Sequence, residues 1–178
     1  MKYSTDTSFL SADKIKAMQQ ERFLETLAYV ATHSPFYKEQ FKSKNIDPSK
    51  IKSLADISTL PQTTKSDMQH WNWDFLCVPR NEIVEYTSTS GTLGSPVTIA
   101  LTANDLDRLA SNEYGSFVCA DGTKEDIYQL LLTLDRQFMA GIAYYSGLRK
   151  LGAGIIRLGP GSPAMQWENI RRLSPTII

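Results

Sequence analysis

From Asp126 to the last residue the sequence alternates in a way that few folds accept. An apolar, β-prone run at Ile127–Leu132 is followed by a helical stretch at Met139–Leu151, and a second β run at Gly154–Leu158 by a helical stretch at Ala164–Leu173. A further β-prone start follows at Pro175-Thr176-Ile177-Ile178. Strand, helix, strand, helix, strand with short links predicts parallel strands joined by right-handed crossover helices. Residues 102–178 are therefore expected to open a parallel β-α-β-α sheet. A parallel strand depends on neighbours at both edges, so a sequence that halts as one opens reads as a piece of a longer domain.

Upstream the pattern is helical. Met18, Phe23, Leu24, Leu27 and Val30 fall largely at three- and four-residue steps and predict a helix from Ile15 to Val30 with one apolar face. His33-Ser34-Pro35 ends it, and Pro35 opens a short helix carrying Phe36, Tyr37 and Phe41. Thr64 with Asp67 three residues on predicts a capped helix from Lys65 to His70. Residues 1–79 are thus a helical collar. Residues 80–101 differ: two β-prone runs, Ile83-Val84-Glu85-Tyr86 and Val97–Leu101, flank Thr87–Pro96, which is rich in glycine and hydroxyl residues. Thr102 and Asp105 then cap a helix running to Cys119.

Composition narrows the functional classes. Nineteen basic residues balance nineteen acidic ones among 178, which points away from nucleic acid and anionic membrane as partners. No apolar run approaches the roughly 18 residues of a membrane span. The start, MKYSTDTSFL, lacks the apolar core of a signal peptide, so a cytoplasmic protein is expected. Cys77 and Cys119 lack CxxC spacing, and His33 and His70 are scattered, so no metal site is expected and two reduced, buried thiols are. No Gly-x-Ser-x-Gly elbow supports a serine hydrolase. Gly159-Pro160-Gly161-Ser162-Pro163 reads as a turn with Ser162 as helix cap.

The segment Ser88–Pro96 is the strongest chemical signal. A polyphosphate needs several donors converging at close range, and hydroxyls with bare glycine N–H groups supply them. No Gly-Lys-Ser/Thr follows, so this is not a Walker A loop. By spacing alone, a hairpin link rich in turn residues explains the same composition.

Thr89-Ser90-Gly91-Thr92-Leu93-Gly94-Ser95-Pro96 resembles the phosphate loop of the adenylate-forming superfamily. Ser34-Pro35-Phe36-Tyr37, Leu60-Pro61-Gln62-Thr63-Thr64-Lys65, Leu151-Gly152-Ala153-Gly154 and Ser174–Ile178 resemble, in order, segments of phenylacetate–CoA ligases. The resemblance implies an incomplete N-terminal domain of an AMP-forming acyl- or aryl-CoA ligase. Such an enzyme joins a carboxylate to ATP as an acyl-adenylate, and coenzyme A sulfur then displaces AMP. It implies that Ser88, Thr89, Ser90, Gly91, Thr92 and Gly94 hold ATP phosphates with magnesium, and that Phe138, Ala140 and Gly141 line the acyl pocket. A plain helix core accounts equally well for Phe138 and its neighbours. Leu93 stands where relatives often carry a hydroxyl, and Ser95 and Val97 stand near positions where many carry lysine.

By the same resemblance, the adenine-binding segments, the magnesium-binding acid and the C-terminal lysine domain lie outside the matched region. No catalytic residue is therefore assigned, and the chain alone is expected to be inactive. Its expected partners are a small carboxylic acid, aryl or arylacetic, together with its own copies or a cleaved remainder of its parent. The alternative is a truncated, non-catalytic interaction or folding module.

Overall fold

A computed structural model describes residue 7, residues 9–91 and residues 94–178. The chain divides into two compact units, one comprising Val84–Thr89 with Ile99–Ile178, the other the helical part up to Ile83 with Ser90–Thr98.

In the helical unit, α1 (Ala12–His33) and α2 (Pro35–Ser43) meet at Ser34. This serine is fully buried and belongs to both helices. Its N–H donates to the Val30 carbonyl and closes α1, while its Oγ accepts from Tyr37 N at 3.3 Å and opens α2. The same hydroxyl donates to the Asp74 carbonyl at 2.9 Å, fixing the corner to a distant turn. Leu27, Phe36 and Phe41 form the buried core, and Phe36 stacks on Phe75 at 4.1 Å between centroids. The apolar face expected on α1 is present but half-covered, for only Leu27 is buried along it. α3 (Lys65–His70) begins in the expected capping box: Asp67 N donates to Thr64 Oγ1 at 3.1 Å, and Thr64 N donates back to the Asp67 carboxylate at 2.8 Å.

In the other unit, β1 (Ile83–Ser88) and β2 (Thr98–Thr102) form a two-stranded sheet, and α4 (Ala103–Cys119) follows from a second capping box at Thr102 and Asp105. β3 (Ile127–Leu130), α5 (Met139–Leu151), β4 (Gly154–Arg157) and α6 (Pro163–Leu173) complete it. β3 and β4 are parallel, with Ile127 opposite Gly154 and Leu130 opposite Arg157. β3 stops two residues short of the expected Leu132. The Leu130 carbonyl takes both Leu158 N (3.3 Å) and Gly159 N (3.0 Å), which ends the ladder. The expected last strand is reduced to one parallel bridge, Ile177 to Tyr128, on the edge of β3 away from β4. Gln129 N donates to Ile177 O at 2.9 Å and Thr176 N to Ile127 O at 2.9 Å.

Tyr128, Leu130 and Leu148 form this unit's core, with Phe117, Tyr144, Tyr145 and Ile155 packed around them. α4 packs against α5 at Gly147, where a Cβ would overlap Glu113; Gly141, Ala143, Gly147 and Leu148 are buried, while Met139, Ile142, Tyr144, Tyr145 and Leu151 are half-buried. Large apolar side chains are exposed on α6, at Met165, Trp167 and Leu173, and elsewhere in the unit at Val84, Val118, Leu131, Phe138 and Ile178. The thiols also differ from expectation. Cys77 is half-buried, and burial pushes its thiol up, but Cys119 is exposed, because the last turn of α4 carries it past the core.

Asp126 ties the edge of the sheet together. Its carboxylate accepts from Thr123 N (2.8 Å), Thr123 Oγ1 (2.9 Å) and Thr176 Oγ1 (2.8 Å). The Thr123 backbone donor first, then the Thr176 and Thr123 hydroxyls, hold it below its ordinary 3.8. Such a group stabilises the fold above its unfolded-state value, and the contribution is lost as pH falls through the lower folded value. Asp126→Asn is expected to lower the melting temperature at neutral pH, with the deficit shrinking as acid protonates the wild-type carboxylate. Thermal melts from neutrality down to about pH 2 check this, and a deficit constant across that range contradicts it.

Candidate functional site

The glycine- and hydroxyl-rich segment leaves β1 at Ser88. Just before it, Thr87 is buried and its Oγ1 donates to Ile99 O at 3.4 Å, which pins β1 to β2. The Ser88 N–H donates to Gln137 O at 3.0 Å, a residue 49 positions on in the turn that starts α5. The two segments that the sequence singled out for phosphate and acyl binding therefore meet at this bond. Ser88 Oγ donates to Thr89 O at 3.1 Å, so this hydroxyl is engaged within its own loop.

Further along, Gly91 has φ +65° and Gly94 φ +135°, with Gly94 N donating to Gly91 O at 3.1 Å. Both positions demand glycine. A Cβ on Gly91 would press on Gly94 O at 3.1 Å and Pro96 at 3.3 Å, while one on Gly94 would press on the Gln69 amide at 3.2 Å. Thr92 and Leu93 lie outside the described residues. Thr89 and Ser90 both have partners of their own.

Two side chains that sequence reasoning missed hold the far end of the loop. Gln69 Nε2 donates to Ser95 O. Asn72 makes a two-bond clamp on Thr98, with Nδ2 donating to Thr98 O at 2.7 Å and Oδ1 accepting from Thr98 N at 2.9 Å. A side-chain amide here imitates a neighbouring strand. No spacing in the sequence announces it, since 26 residues separate Asn72 from Thr98. Asn72→Ala leaves both backbone groups of Thr98 without these partners, at a cost of about 1–3 kcal/mol. The expected result is a lower melting temperature with faster hydrogen exchange at the Thr98 amide. Unchanged exchange there would refute the clamp.

The turn before α5 is unusual. Arg136 (φ +57°) and Gln137 (φ +58°) are consecutive left-handed residues without being glycine. Left-handed non-glycine backbone costs of order 1 kcal/mol per residue, and such outliers cluster at functional sites. Thr133 Oγ1 donates to the Asp135 carboxylate, and Phe138 N donates to Asp135 O at 3.2 Å, so the turn is tied internally. Phe138 is 42% exposed at the N-cap of α5 and Ala140 is half-buried. Gly141 is buried, and the place of its absent side chain is taken by the Thr133 carbonyl. Its small size therefore admits the chain's own backbone.

The same unit holds a cavity of about 370 Å³, lined by Phe117, Tyr128, Leu130, Leu132, Tyr144 and Ile177 among others. Phe138, Ala140 and Gly141 do not line it. Among the described residues no helix is long and apolar enough to cross a membrane.

The architecture is that of adenylate-forming CoA ligases. The chain superposes on a 2-hydroxyisobutyryl-CoA ligase in complex with 2-HIB-AMP and CoA with a TM-score of 0.81, over 92% of this chain and 36% of that one, at 23% identity. An open conformation of that ligase gives 0.82 over 93% of this chain. In sequence, the chain is similar to phenylacetate-coenzyme A ligase of Escherichia coli K12, 29% identical over 169 residues that make up 94% of this chain. The enzyme of that name from Thermus thermophilus is 28% identical over the chain's full length. The chain spans 38% and 40% of the length of these two relatives. No family model matches it.

Proposed function

We propose that these residues supply the triphosphate-binding loop and one wall of the acyl pocket in an AMP-forming ligase that joins a small carboxylic acid, aryl or arylacetic, to coenzyme A. The bond from Ser88 N–H to Gln137 O carries this reading, because adenylation requires the ATP phosphates and the carboxylate to be presented side by side. The reading assigns Ser88, Thr89, Ser90, Gly91, Thr92 and Gly94 to the phosphates, with the bonds from Ser88 Oγ to Thr89 O and from Gly94 N to Gly91 O exchanged for phosphate oxygens as ATP binds. Magnesium would neutralise phosphate charge that a loop without lysine leaves uncompensated. Phe138 supplies an exposed aromatic surface for a ring-bearing acid. Ala140 leaves space beside it, and Gly141 fixes the helix start that presents both.

The chain reaches less than half the length of its relatives, so the completed reaction belongs to a longer protein. The reading includes a cytoplasmic setting. Nucleotide binding by the loop is testable on the chain itself. Titration with ATP and magnesium is expected to move the amide resonances of Ser88, Ser90, Gly91 and Gly94. Gly91→Ala places a Cβ at positive φ and is expected to weaken ATP at least about tenfold while lowering the melting temperature by only a few degrees. Amide resonances that stay put under ATP, or a variant that loses folding and binding alike, would count against a phosphate role.

A further inference from the structure

Away from the loop, α5 and β4 bring two arginines to one aromatic ring. Tyr145 packs against the core formed by Tyr128, Leu130 and Leu148, so its ring is held in place. Arg149, one helical turn on, has its guanidinium carbon 6.0 Å from the ring centroid and donates from Nη1 to the Tyr145 hydroxyl at 3.4 Å. Arg157 is the last residue of β4. It shares a strand face with Ile155, which packs into the same core, and its guanidinium carbon stands 5.5 Å from the same centroid. Among the described residues neither guanidinium meets a carboxylate within ion-pairing distance. Lys150, next to Arg149, is turned aside to Ser111 Oγ at 2.8 Å.

One ring offers a single quadrupole, a weak attraction for an exposed cation, shared here between two guanidiniums. The Tyr145 hydroxyl accepts from Arg149 and so keeps its own proton for donation. The Arg149 hydrogen bond, and then the fields of Arg149 and Arg157, pull its ionisation below 10.0 against the opposing effect of burial, which marks it as a stronger donor than a free phenol. Two guanidiniums thus stand 6.0 and 5.5 Å from the centroid of one phenol ring, and among the described residues neither pairs with a carboxylate.

We propose that Arg149, Arg157 and Tyr145 form a binding site for a phosphate group, separate from the glycine-rich loop. A tetrahedral dianion satisfies both forks with charge-assisted bonds and takes the phenol proton as a third. The group is either free orthophosphate or the monoester end of a nucleotide-like ligand.

The 178-residue chain is titrated at low ionic strength with orthophosphate, with AMP and with adenosine, following the side-chain Nε–Hε resonances of Arg149 and Arg157. Orthophosphate and AMP are expected to shift both signals at roughly millimolar concentration or below, and adenosine to leave them unmoved. Equal affinity for the two identifies free phosphate as the ligand, and tighter AMP identifies a monoester. Arg149→Ala and Arg157→Ala are each expected to weaken binding about tenfold, Tyr145→Phe less, and added salt to weaken all of it. Both arginines are exposed, so these variants should fold, and unchanged melting temperatures verify it. Gly91→Ala is expected to leave the two arginine signals responsive. No shift with phosphate or AMP, equal shifts with adenosine, or a response that survives removal of both arginines overturns the site. Loss of the response in Gly91→Ala would assign the anion to the loop and overturn it equally.

Discussion

Gly141→Ala is expected to destabilise the sheet-bearing unit by about 3 kcal/mol or more, among the largest effects available to a single methyl group. The new Cβ would overlap the Thr133 carbonyl oxygen and sit 3.0 Å from its carbon and 3.3 Å from Leu134 Cα. All three are backbone atoms, so no side chain can swing away. Either α5 slides off β3 or the Thr133–Asp135 turn deforms. At this chain length that corresponds to a drop in melting temperature of roughly 6–12 °C. The result separates two roles for the glycine. A residue kept small only to admit a substrate would tolerate alanine in the fold and lose only affinity for the acid. A variant as stable as the wild type would remove the packing role.

The second large effect concerns chemistry. If the proposed ligase reading holds, the 178 residues alone catalyse no ATP–pyrophosphate exchange with phenylacetate or related acids. The reason is the number of groups adenylation needs beyond a phosphate loop. By the resemblance, the adenine and ribose contacts, the magnesium-binding acid and the adenylation lysine match nothing within residues 1–178. Enzymes of this kind depend on groups acting together, and removing one such group commonly costs two or more orders of magnitude. Exchange at the level of the protein-free control is the expected outcome, even at high protein concentration. Exchange above that control would mean that the loop and the α5 turn suffice for adenylation.

What was legible in the sequence was local. The helix starts at Ser34, Thr64, Thr102 and Ser162 were readable because a cap is decided within four residues, and the structure has all four. The pairing of β3 with β4 followed from two β-prone runs spaced by one crossover helix. The long-range terms were not legible. Asn72 on Thr98 and Gln69 on Ser95 act across 26 residues, and an amide in a helical collar carries no mark of the strand it will clamp. The packing of Gly141 against the Thr133 carbonyl was not legible either, because a missing side chain looks the same in sequence whether backbone or substrate fills the gap. Arg136 and Gln137 gave no sign of left-handed backbone, since neither is the glycine, asparagine or aspartate that usually announces it. Cys119 was misplaced for a related reason: a thiol's hydrophobicity predicts burial on average, whereas the phase of α4 decides it here.

The single bridge at Ile177 sets a timetable. β3 is complete in sequence at Leu130, yet its second edge is closed by a residue nearly fifty positions later, through Gln129 N, Ile127 O and the Thr176 hydroxyl. At about 5–20 residues per second, a growing chain spends roughly 2–10 s between making the central strand and making its last neighbour. During that interval the edge of β3 that carries Gln129 N–H and Ile127 O is an open template, with the side chains of Tyr128 and Leu130 behind it. The order of elements along this chain thus assigns its period of greatest aggregation hazard to the seconds before Thr176 and Ile177 emerge.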